Sequence, residues 1–128
     1  MTRSSNAAGR SIQASVDREA RSVEQSLLDT IRDLNAELAP GEIGPVGAVI
    51  GPTHMEPRLD LAAPNALYLA PGVGRQGASP EDVARVFSSC PDRVLPSASR
   101  SLLTSADPGR LRNDVERLAA EIIQLLGR

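Results

Sequence analysis

The chemistry of this chain centres on Leu67–Gly77, LYLAPGVGRQG, and on Arg100 in VLPSASR. In the first stretch Leu67, Tyr68, Leu69 and Ala70 form a short apolar run that stops at Pro71. Glycines follow at 72, 74 and 77, with Gln76 among them. A loop of this kind bends where a Cβ would clash, or lets the backbone pass close to a ligand. Arg100 lies 24 positions beyond Gln76, at the end of a second short apolar run that closes in small residues. A glycine-rich turn after one strand and an arginine after the next is an arrangement that holds phosphate in parallel α/β folds.

Other candidate residues carry less. Gly72, Gly74 and Gly77 match the dinucleotide fingerprint G-x-G-x-x-G, but the next acid, Asp92, follows Gly77 by only 15 positions and Cys90–Pro91 directly. The fingerprint needs its acid about 20 residues on, at a strand end. GVGRQG lacks the lysine of a Walker loop, and no G-x-S-x-G elbow occurs. His54, in PTHMEP, has only Glu56 near it, which is no ligand set, so it reads as structural or solvated and no metal is expected. Asp60, Glu81 and Asp82 read as solvated or helix-start acids.

Composition narrows the partners. Aromatics are 2% and the formal net charge is −2, so neither stacking platforms nor a basic face for nucleic acid is expected. All 14 basic residues are arginine; a mechanism that needs lysine cannot come from this chain. Cys90 is the single cysteine, which excludes an internal disulfide and suits a reducing cytoplasm. No apolar run approaches the ~20 residues of a membrane span. MTRSSNAAGRSIQASV has no apolar h-region, and its resemblance in composition to a transit peptide is of a common kind.

The elements that must position the loop are legible in order. Residues 1–21 read as a loop segment. Ser22 and Gln25 have capping-box spacing, and Val23, Leu27, Ile31, Leu34 and Leu38 form one apolar stripe on a helix that Pro40–Gly41 ends. Pro45–Gly51 is β-branched and continuous, which predicts a strand buried on both faces. Leu59–Ala63 reads as a helical turn or short helix. Leu67–Ala70 is a second strand. Ser79–Pro80–Glu81–Asp82 starts a helix whose buried side is Val83, Val86 and Phe87. Val94–Pro96 is a third strand. A last helix starts at Asp107–Pro108 and carries Leu111, Val115, Leu118, Ile122 and Leu125 to about Leu126. Alternation of this kind implies parallel strands and right-handed crossovers. The 128 residues form one partial domain, 22–128 being a helix plus three strand-helix units. A complete (β/α)8 barrel takes about 250 residues, so the expected fold class is α/β, half of such a barrel.

With the strands placed, the sequence resembles orotidine 5′-phosphate decarboxylase, in its actinobacterial branch and over its C-terminal half. SSN at Ser4–Asn6 is similar to the TSNP loop after the family's fifth strand, and GAVIGPT at Gly47–Thr53 to the VGAT end of the sixth. PGVGRQG at Pro71–Gly77 is similar to the PGxGxQGG loop after the seventh, and SASR at Ser97–Arg100 to the Ser-Arg end of the eighth. The resemblance implies that Arg100, as a bidentate fork, and Gln76, as a neutral donor, grip the nucleotide phosphate with help from backbone N–H groups near Ser99. It implies that Gly72 and Gly74 shape the loop beside the substrate. Pro71 would lie against the pyrimidine and Ser5 would hydrogen-bond its edge. The activity implied is conversion of orotidine 5′-phosphate to UMP and CO2 in pyrimidine synthesis, without metal or organic cofactor.

The sequence departs from the family in three places. The Asp-x-Lys-x-x-Asp array of the third strand is absent, Ala7 follows Asn6 where proline is usual, and Ala78 follows Gly77 where a second glycine is usual. The expectation is therefore a phosphate-binding half, with Met1 an internal start, that is inactive unless an N-terminal half-barrel supplies the lysine and acids. Two alternatives stand beside it: a non-catalytic half-barrel that forms a homodimer and binds a phosphorylated ligand, and a dinucleotide-binding βαβ protein.

Overall fold

The computed structural model describes residues 9, 12, 15–18, 20–53, 58–74, 77–103 and 107–127. In chain order they form α1 (Val23–Leu38), β1 (Ala48–Val49), β2 (Tyr68–Pro71), α2 (Pro80–Val86), a 3-10 turn (Pro91–Arg93), β3 (Val94–Ser97) and α3 (Pro108–Leu126). The strands make one parallel sheet in the order β1-β2-β3, with Ala48 beside Tyr68, Tyr68 beside Val94 and Pro71 beside Ser97. This is the fold class expected: parallel strands alternating with helices, as in half of a (β/α)8 barrel.

Local chemistry sets the helix starts. Ser79 caps α2 by accepting from the N–H of Asp82 (3.2 Å), while the Asp82 carboxylate accepts from the N–H of Ser79 (2.9 Å). Two otherwise orphaned donors are thereby satisfied, and Pro80 supplies a helix-compatible φ at the first position. Asp107 caps α3 through the N–H of Gly109 (3.0 Å), again followed by proline. At α1 only half of the predicted box forms. Ser22 accepts from the N–H of Gln25 (3.2 Å), but the Gln25 amide donates forward to Asp29 (3.1 Å) and its oxygen accepts from the N–H of Asp60 (3.0 Å).

The core lies on the helix side of the sheet. Tyr68, Ala70, Ala48, Ile50 and Val94 turn to that side and pack with Leu28 of α1, Val83 and Phe87 of α2's end, and Ile122 of α3. The Tyr68 and Phe87 rings are tilted at 5.8 Å between centroids, within the range of favourable aromatic pairs. The Tyr68 hydroxyl donates to the Leu61 carbonyl (2.7 Å), so its polar end is satisfied in the interior.

Three expectations change. The α1 stripe faces the core only in part: Ile31 packs against it, but Leu27, Leu34 and Leu38 are exposed, and the buried positions of the helix are Glu24, Leu28 and Asn35. Asn35 is buried there because its amide donates to the carbonyls of Val46 (2.9 Å) and Pro64 (3.0 Å) and accepts from the N–H of Val46 (3.0 Å). Secondly, the strand expected over Pro45–Gly51 is Ala48–Val49 and is not buried on both faces, since Ala48 is buried and Val49 only partly so, and the neighbouring strands are likewise covered on one face. Leu69 and Leu95, which alternate with Ala70 and Val94, are 42% and 55% exposed. Thirdly, 59–63 is not helical: the Asp60 carboxylate accepts from the N–H groups of Ala62 (3.1 Å) and Ala63 (3.0 Å), an Asx-type turn that competes with helix. Among the described residues no helix is long and apolar enough to cross a membrane.

Candidate functional site

Because β2 and β3 are parallel neighbours with Pro71 beside Ser97, their C-terminal ends deliver two loops to the same rim. The loop after β2 turns on itself. Gly72, Gly74 and Gly77 have φ of +93°, +87° and +96°, the N–H of Gly74 donates to the Ala78 carbonyl (2.7 Å), and that of Gly77 to the Gly74 carbonyl (2.9 Å). Left-handed backbone of this kind is what glycine adopts at no steric cost. The loop after β3 is a compact turn in which the Ser99 carbonyl accepts from the N–H groups of Leu102 (3.0 Å) and Leu103 (2.9 Å).

The two loops are joined. The N–H of Val73 donates to the Ser97 carbonyl (3.3 Å), and the Ser101 hydroxyl reaches the Val73 carbonyl at 3.5 Å. Between them lies a cavity of about 190 Å³ bordered by Pro71, Gly72, Ser97, Ser99, Arg100 and Ser101. Its charge is the guanidinium of Arg100, which is exposed and forms no ion pair among the described residues. A cationic fork with several hydroxyls around it suits a small oxyanion.

Four of the seven residues expected at the site, Pro71, Gly72, Ser99 and Arg100, border this cavity, and Gly74 adjoins it through Ser101. Gln76 and Ser5 lie outside the described residues, as does His54. Ser97 and Ser101 were not singled out in the sequence. The run SASRS is the signal that could have found them, since alternate small residues after a strand leave room for a ligand. Asp92, the acid weighed for ribose binding, lies in the 3-10 turn that precedes β3, at the opposite end of the strand from the cavity, and faces Arg93 at 3.9 Å. Cys90 is buried in the core, where burial pushes its thiol up from the ordinary value. No group of three or more His, Cys, Asp or Glu among the described residues could hold a metal.

Fold and rim together define a class: half of a parallel (β/α)8 barrel in which two neighbouring strand ends border an open cavity of about 190 Å³ beside an arginine. Comparison with known proteins makes this specific. The chain is 42% identical over 118 residues to the orotidine 5′-phosphate decarboxylase of Salinispora arenicola and 40% identical over 118 residues to that of Salinispora tropica, in each case 91% of this chain and 42% of the relative. It superposes with a TM-score of 0.84 and 34% identity on the crystal structure of a Streptomyces avermitilis protein described as an orotidine 5′-phosphate decarboxylase, covering 99% of this chain and 44% of that one. No family model matches. The chain thus spans less than half the length of the relatives it matches, and it is similar in sequence and fold to the C-terminal half of the orotidine 5′-phosphate decarboxylase family.

Proposed function

We propose that this chain is the phosphate-holding half of an orotidine 5′-phosphate decarboxylase barrel. The observation that carries the reading is the cavity between the glycine loop and Arg100, at the rim where barrels of this class hold phosphate. Arg100 supplies a bidentate charged fork, Gln76 a neutral donor, and the backbone around Ser99 further N–H groups. Gly72 and Gly74 let the loop approach the ligand, Pro71 lies against the pyrimidine, and Ser5 meets its edge. Grip on a remote phosphate contributes to catalysis by holding the reacting ring where transition-state interactions form.

With no lysine in its sequence, the chain cannot protonate a carbanion by a lysine ammonium. Decarboxylation therefore requires an N-terminal half that supplies the Asp-x-Lys-x-x-Asp array. The test is turnover of orotidine 5′-phosphate by the chain alone and together with such a half. Activity only in the mixture is expected; turnover by the chain alone would contradict the assignment.

A further inference from the structure

The helical layer is incomplete over the connection from β1 to β2. In a (β/α)8 barrel a helix follows each strand and covers its outer side. Here the described residues of that connection form no helix, because the Asp60 carboxylate holds 60–63 in its turn. A cavity of about 390 Å³ lies between this turn and the end of α2, and it shares no residue with the cavity at Arg100. Its floor is apolar and continuous with the core. Ile50 and Leu61 are buried there, and Leu59 and Val86 pack against the same cluster.

The rim is cationic. Arg58 and Arg85, both exposed, border the opening, and Ser88 and Ser89 add hydroxyls to it. Arg85 pairs with Asp82, one turn back on α2, whereas Arg58 forms no ion pair among the described residues. Small-molecule sites have volumes of about 300–1,000 Å³, an apolar lining for the body of the ligand and a few polar groups that fix its head. A guanidinium is the side chain best shaped to take a carboxylate. An inorganic anion would leave the apolar floor uncovered, and a neutral apolar molecule would leave Arg58 without a counter-charge. We infer that this cavity binds a small aliphatic carboxylic acid, its chain on Ile50, Leu59, Leu61 and Val86 and its carboxylate at Arg58. The site goes beyond the phosphate reading and does not depend on it.

Calorimetric titration of the full chain with octanoate tests it, with octanol as the neutral control. Saturable binding of octanoate is expected, about tenfold or more tighter than that of octanol. Inorganic phosphate should not compete, since it meets no apolar requirement of this floor. Arg58→Gln should weaken octanoate by about fivefold or more, and Val86→Phe, which fills the cavity, should abolish its binding. Arg58 is exposed, so its variant keeps the test valid if Val86→Phe fails to fold, and an unchanged far-UV spectrum identifies the variants that count. Arg100→Ala, at the other cavity, and Leu69→Asp, on the opposite face of the sheet, should leave octanoate binding as it is. A failure of the phosphate site is thereby read separately from a failure of this one. No saturable binding of octanoate, octanol bound as tightly, or binding lost in Leu69→Asp but kept in Arg58→Gln would overturn the proposal.

Discussion

Ser101 stands directly under Gly74: a Cβ built on Gly74 would lie 2.7 Å from the Ser101 Oγ and 2.9 Å from its Cβ, closer than side-chain carbons approach. The glycine loop and the arginine turn are thus fitted to each other through a contact that only glycine permits, reinforced by a φ of +87°.

Gly74→Ala is therefore expected to distort the rim without reaching the core. Non-glycine residues in left-handed backbone cost on the order of 1 kcal/mol or more, and here a clash adds to it. UMP affinity should fall more than stability does, a split that calorimetric titration and thermal melts together would read. A variant that binds as wild type would show that the loop's shape does not matter to the site.

Asn35 clamps α1 to the lead into β1 and to the segment before β2. Replacing it with leucine removes three hydrogen bonds and leaves the Val46 N–H, the Val46 carbonyl and the Pro64 carbonyl without that partner. Each buried unsatisfied group costs about 1–3 kcal/mol, so a loss of about 3 kcal/mol or more is expected in denaturant unfolding. Gly44 packs hard against this same side chain, and an added Cβ there would run into it, so Gly44→Ala should destabilise through the same clamp.

Asp82 gives a pH signature. Its carboxyl is held below the usual carboxylate range, first by the Ser79 backbone N–H and then by the Ser79 hydroxyl and Arg85. A depressed acid contributes stability that is present above the unfolded value of about 3.9 and is lost as pH falls through the folded one. The Asp82 contribution should thus fade as pH falls below about 4, and Asp82→Asn should reduce stability at neutral pH while flattening that part of the dependence. At neutral pH Ser79→Ala should cost about 1 kcal/mol.

The parts of the fold that were legible in the sequence are those fixed by local chemistry. Ser79–Pro80 and Asp107–Pro108 announce their helices because caps and prolines act over four residues, and α3 ends at Leu126 as its spacing predicts. The facing of α1 was not legible, because Asn35 looks like a surface residue until Val46 and Pro64 are brought to it from elsewhere in the chain. The exposure of Leu69 and Leu95 was not legible either, because apolar runs do not say which face of a sheet will be covered. Of the residues that border the cavity, loop chemistry after strands points to Gly72 and Arg100 and the family resemblance to Pro71 and Ser99, whereas Ser101 is brought there only by packing under Gly74.

The central claim is that Arg100 and the glycine loop form a phosphate site. A thermal melt of the chain with and without UMP, alongside Arg100→Ala, tests it most directly. Linkage adds RT ln(1 + [L]/Kd), about 2.7 kcal/mol at a hundredfold excess over Kd, enough to raise the melting temperature by several degrees. The account predicts a UMP-dependent rise that uridine does not reproduce and that Arg100→Ala abolishes. A cooperative melt indifferent to UMP, or a UMP shift that survives in Arg100→Ala, would contradict it.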